Sequence, residues 1–123
     1  MAAELRKITF LKVYTAEDVI VDDKPLYKSI IEEARRLKLA GGTVITCSEG
    51  YASEKRGIDR KPGTFFSGVP NAPIIVEIVD SRENIEKILP YLEKNAKRSL
   101  VLVEDTEYLL TDYIKERMAK QEL

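Results

Sequence analysis

The chain has no histidine and one cysteine. Without an imidazole there is no Ser-His or Cys-His catalysis, no imidazole general base and no His-ligated zinc. Cys47 alone cannot close an internal disulfide or form a CxxC site. Neither sign of charge is in excess: 20 Lys+Arg stand against 21 Asp+Glu. A general nucleic-acid binder would show a basic surplus, so only local basic patches remain open. No apolar run approaches the ~20 residues of a membrane span. Met1–Lys7 carries no secretory h-region. The default expectation is a soluble cytoplasmic protein. At 123 residues the chain fits one domain and has no room for a second. A fold of this size leaves a large share of its surface in water, so association would help it.

What is present is a regular alternation of strand and helix signals. Residues 8–14 (ITFLKVY) are β-branched and aromatic and read as a strand. Thr15–Lys24 reads as a polar, acidic connection, and Pro25 suits the first position of a helix. Leu26, Ile30, Ala34 and Leu37 then recur at helical spacing, and Gly41 and Gly42 are expected to end that helix. Thr43–Cys47 is a second strand, with Cys47 a small core residue at its end. Ile74–Asp80 (IIVEIVD) is the third and strongest strand. Ser81 can cap the next helix, where Ile85, Ile88, Leu89, Leu92 and Ala96 repeat. Pro90 inside that pattern should kink it or shift its start. Leu100–Val103, extending toward Leu110, is a fourth strand, and Thr111 could cap a short, charged last helix. The order β-α-β, long loop, β-α-β predicts an α+β, ferredoxin-like split βαβ sandwich, with an appendage over about residues 106–123.

The third and fourth strands are apolar on both sides. Ile74, Val76 and Ile78 fill one face of the third, and Ile75 and Val79 join Glu77 on the other. A sheet with one wet face should alternate apolar with polar. The face away from the helices is therefore expected to be covered by another copy of the chain, unless the C-terminal segment covers it.

Function is expected in the long loop Ser48–Ala72, since loops of this length in small domains are generally functional or disordered. It holds four of the six glycines (Gly50, Gly57, Gly63, Gly68) and, at 55–61 (KRGIDRK), four basic side chains. Backbone N–H groups and cations together can hold phosphate, although a solvated basic loop is the commoner use of such a run. Phe65 and Phe66 read as core anchors. Glu17, Asp18, Asp22 and Asp23 lack the spacing of an EF-hand and read as a solvated acidic loop. Phe10 and Tyr14 imitate an RNA-stacking platform, but IIVEIVD lacks the basic-Gly-aromatic signature of such domains.

KPLYKSIIEEARRLKLAGGTV (Lys24–Val44) and IIVEIVD (Ile74–Asp80) resemble the uncharacterised, DUF-type branch of the PII signalling superfamily over roughly residues 8–105. SEGYASEK (Ser48–Lys55) is similar to the Gly-aromatic-Gly element at the base of that superfamily's T-loop. The resemblance implies a ferredoxin-like homotrimer with no catalytic activity and a cleft between subunits for an adenine nucleotide. It also implies a T-loop that reports ligand state to a partner such as a transporter, channel or enzyme. Some relatives accompany fluoride channels and others respond to bicarbonate. Carried over by position, the ligand-binding set is Gly50, Tyr51, Ala52, Glu54, Lys55 and Arg56 on the loop, with Lys97, Arg98 and Ser99 before the last strand. No catalytic residue and no metal ligand is implied.

The departures shape the expectation. Ala52 stands where a glycine is usual, and Asn95–Ser99 lacks the usual glycines. The last strand is acidic and lacks the arginines that hold terminal phosphates, each such contact being worth ~1.5–3 kcal/mol. The His common after the loop arginine in the DUF-type branch is missing. Few phosphates are therefore expected, AMP or ADP in preference to ATP, or a different anion altogether. The alternative is a trimeric interaction module that has lost its ligand. An acylphosphatase-like enzyme ranks last, because Thr15–Asp23 has no arginine to hold an anion.

Overall fold

A computed structural model describes residues 2–50, 63–64 and 72–120. In chain order the elements are β1 (Leu5–Ala16), β2 (Ile20–Val21), β3 (Lys24–Pro25), α1 (Leu26–Arg36), β4 (Gly41–Thr46), β5 (Glu49–Gly50), β6 (Gly63–Thr64), β7 (Pro73–Asp80), α2 (Arg82–Glu86), α3 (Leu89–Asn95), β8 (Leu100–Leu109) and α4 (Asp112–Ala119). The main sheet runs β4-β7-β1-β8 and each neighbouring pair is antiparallel. With the crossover helices α1 and α2–α3, this is the expected ferredoxin-like split βαβ order.

The alternation in the strands sets the two faces. Leu11, Val13, Ile74, Val76 and Ile78 point to the helices and form the core with Leu26, Ile30, Ile85, Ile88 and Leu92. Thr15 shares that side, and its buried Oγ1 has no hydrogen-bond partner among the described residues. Helix α1 begins one residue later than expected: Pro25 is the half-helical cap, and the Val19 carbonyl accepts from the Leu26 N–H at 2.8 Å. Pro90, which has no N–H to donate, divides the second crossover into α2 and α3, where it occupies the first turn of α3. Ser81 caps α2 by accepting from the Asn84 N–H at 3.2 Å.

Three readings of the sequence need correction. Gly41 and Gly42 do not end α1; they open β4. The helix stops at Lys38, which has φ 59°. There the Leu39 N–H donates to the Ala34 carbonyl and the Lys38 N–H to the Arg35 carbonyl, a Schellman pair without its usual glycine. Gly42 instead serves packing, since a Cβ there would lie 3.1 Å from Ile31 Cδ1. The connection after β1 is a small β2–β3 hairpin turned by Asp22 and Asp23, both at positive φ, as a two-residue hairpin loop requires. Finally, β4 is an exposed edge strand, and Cys47 beyond it is half-exposed, not a core residue.

The C-terminal helix α4 starts at Thr111, whose Oγ1 accepts from the Ile114 N–H at 3.2 Å. It is seated at the free end of the β1–β8 ribbon, where Lys115 pairs with Glu4 at 3.5 Å and the Tyr108 hydroxyl meets Met118 Sδ at 4.0 Å. It leaves the centre of the helix-free face open. One register row there crosses all four strands as Ile45, Ile75, Tyr14 and Leu100. Of these, Leu100 is 59%, Ile45 38% and Tyr14 36% exposed, and neighbouring Leu102 is 42% exposed.

Candidate functional site

The register brings the base of the 48–72 loop and the Lys97–Ser99 turn to one end of the sheet. Ile45 and Leu100 share a row on opposite edges. Beyond Ile45 the chain leaves β4 into the long loop, and Lys97–Ser99 enters β8 at the same level on the other edge. Three strand spacings separate those edges, roughly 14 Å.

The loop base is built on backbone hydrogen bonds. Cys47 N–H donates to the Pro73 carbonyl at 3.0 Å, and Glu17 N–H donates to the Ala72 carbonyl at 2.9 Å. Ala72 is fully buried. Outside these anchors β5 pairs with β6, with Glu49 opposite Thr64 and Gly50 opposite Gly63. Gly50 has φ +148°, and a Cβ there would lie 3.3 Å from Pro73 Cγ. A side chain at Gly50 would thus meet both backbone strain and Pro73, so this position is glycine for its backbone. Tyr51, Ala52, Glu54, Lys55 and Arg56, as well as Phe65 and Phe66, lie outside the described residues.

On the opposite edge, Asn95 Nδ2 donates to the Tyr91 carbonyl at 3.0 Å, and buried Ala96 ends α3. The Ser99 N–H donates to the Ala96 carbonyl at 3.1 Å, closing a four-residue turn. No residue of this turn has positive φ, so it forms without glycine. Lys97 and Arg98 are exposed on it and Ser99 is half-buried. Burial of the Tyr91 ring one turn back raises its hydroxyl above the usual phenol range, against a lowering hydrogen bond with Ser29.

Sequence reading set the acidic loop after β1 apart from the site. The structure joins them: Ala16 is in register with Pro73, and Glu17 is bonded to the loop base. The signal was the length of β1, whose pattern runs two residues past Tyr14. At the far end of the sheet, Asp105 accepts from Thr9 at 2.8 Å and from Arg82 at 3.0 Å. Those bonds, Thr9 first, hold its carboxyl below the ordinary range. A shallow cleft lined by Glu4, Arg6, Leu110, Lys115 and Met118 also lies at that far end and includes none of the expected ligand residues. Among the described residues no group of three or more potential ligands is placed to hold a metal ion, and no helix is long and apolar enough to cross a membrane.

The fold is the one seen in PII-like proteins. A structure of CPII, a nitrogen regulatory PII-like protein from Thiomonas intermedia K12 bound to ADP, AMP and bicarbonate, aligns with a TM-score of 0.57. The alignment covers 85% of this chain and 98% of that one at 14% identity. The PII-like signalling protein TTHA0516 from Thermus thermophilus aligns with a TM-score of 0.55 over 91% of this chain and 97% of that one, at 18% identity.

The chain belongs to the DUF190 family, described as uncharacterised ACR, whose model matches residues 8–108. It is 32% identical over 103 residues to a UPF0166 protein of Aquifex aeolicus (strain VF5), covering 84% of this chain and 94% of that protein. It is also 32% identical over 100 residues to the UPF0166 protein MJ1524 of Methanocaldococcus jannaschii, covering 80% and 89%.

Proposed function

We propose that this protein is a non-enzymatic, cytoplasmic PII-like regulator. It forms a homotrimer, binds an adenine nucleotide between neighbouring copies, and signals through the 48–72 loop to a partner such as a transporter or channel. The observation that carries the reading is the placement of the loop base and the Lys97–Ser99 turn at one end of the sheet but on opposite edges. A cyclic arrangement that lays one copy's β4 edge beside another's β8 edge brings the two half-sites together. The loop of one copy then supplies Gly50, Tyr51, Ala52, Glu54, Lys55 and Arg56, and the turn of the next supplies Lys97, Arg98 and Ser99. The exposed apolar row supports association. The ADP and AMP bound to CPII support an adenine nucleotide as the ligand.

The mechanism is linkage. A ligand that touches the loop base in one conformation shifts the loop toward it by no more than its differential affinity, and the partner reads that shift. β8 (Leu100–Leu109) carries no arginine to hold terminal phosphates, which argues for few phosphates. The second reading, a ligand-independent interaction module, draws on the same missing cations.

Calorimetric titration with AMP, ADP and ATP, with bicarbonate present and absent, tests the proposal. The expected result is saturable binding near one site per chain, with AMP or ADP tighter than ATP. Lys97→Ala is expected to weaken it about ten-fold or more, the loss of one charge-assisted contact. No heat from any nucleotide would overturn the ligand assignment and favour the interaction module.

A further inference from the structure

The helix-free sheet face carries a charge pattern that the apolar row does not explain. The row next to Ile45–Leu100 runs Thr43, Glu77, Lys12 and Leu102. The row beyond it runs Gly41, Val79, Phe10 and, exposed at the β8 edge, Glu104. Glu77 and Lys12 therefore sit side by side, both half-buried, between apolar side chains. Lys12 Nζ lies 4.9 Å from the centroid of the Phe10 ring. Among the described residues neither Lys12 nor Glu77 makes an ion pair.

We infer that Lys12 and Glu77 are the specificity determinants of self-association: the ammonium of one copy pairs with Glu77 of the partner subunit. The inference rests on the proposed association. An apolar partner laid on this face would bury both charges with no partner but each other, an unfavourable outcome. A second copy of this chain brings the reciprocal pair in the same patch. Each copy then gives one cation and takes one, head-to-tail around the ring. The apolar rows supply the attraction, and the ionic row decides register and excludes faces without the matching pattern.

The test uses the full chain and reads mass by light scattering and native mass spectrometry. Lys12→Glu makes the middle row wholly acidic and Glu77→Lys makes it wholly basic. Each variant alone is expected to dissociate at concentrations about 100-fold above those that dissociate the wild type. Mixed together, the two are expected to associate through heterotypic contacts that neither can make alone, two of the three contacts in a mixed trimer. The double variant K12E/E77K is expected to associate like the wild type, which also controls for folding. Single variants that keep the wild-type mass and do not exchange subunits would overturn the ionic assignment and leave association intact. A monomeric wild type would overturn the association beneath it as well.

Discussion

Leu100→Asp is expected to convert the protein into a folded monomer that no longer binds nucleotide. Leu100 is 59% exposed in the single chain, so a carboxylate there costs the isolated fold little. In the assembly it would sit in the row with Tyr14, Ile75 and Ile45, and each contact would bury an unpaired charge among apolar side chains. That penalty is several kcal/mol, so the dissociation constant should rise about a thousand-fold or more. Sedimentation velocity and far-ultraviolet circular dichroism together check it: the mass should fall to 14.0 kDa while the secondary structure is kept. Leu100 follows the Lys97–Ser99 turn directly, so a local effect on the site must be separated from dissociation. Leu102→Asp does this, because it lies on the same face one pair farther from the turn. Both variants should lose assembly and binding together; an unchanged mass in both would remove this face from the interface.

The second large effect is on the fold itself. Ile78 is fully buried on β7, in register with Leu11 on one side and Gly42 on the other. The glycine has no side chain with which to close a void, and Ile31 from α1 already fills the space above it. Ile78→Ala should therefore leave a cavity that collapses poorly and cost about 3–5 kcal/mol. That is a large part of the roughly 5–15 kcal/mol available to a domain. Thermal unfolding should shift down by roughly 10–20 °C. Ile20→Ala, at a position 54% exposed, should shift it little. Equal shifts for the two would contradict the assigned core.

The main sheet was legible because its strands are long and β-branched, and because every second residue of β7 goes to the core. Pro90 and Thr111 announced the break before α3 and the start of α4 through their own chemistry: a missing N–H in one case, a capping hydroxyl in the other. The end of α1 was not legible. The rule for a left-handed helix terminus names glycine, two glycines follow nearby, and the structure uses Lys38. The β2–β3 hairpin and the β5–β6 ladder have two residues per strand, too few for a period to show. Edge exposure of β4 was hidden because GGTVIT carries no mark of its place in the sheet order. For the site, the turn and the loop base could each be found from resemblance. Their separation on opposite edges is a property of the strand order, and only the register reveals it.

That separation is the centre of the account, and subunit mixing tests it most directly. Arg56→Ala removes a cation from the loop half-site and Lys97→Ala removes one from the turn half-site, each weakening nucleotide binding. If the site lies between copies, equimolar mixing and subunit exchange should regenerate some clefts that carry both Arg56 and Lys97. A tight-binding fraction, about a quarter of all clefts for random exchange between neighbours, should then reappear in the titration. If both residues act within one chain, every site in the mixture retains a defect. The mixture would then bind no more tightly than its better component, and the intersubunit site would be contradicted.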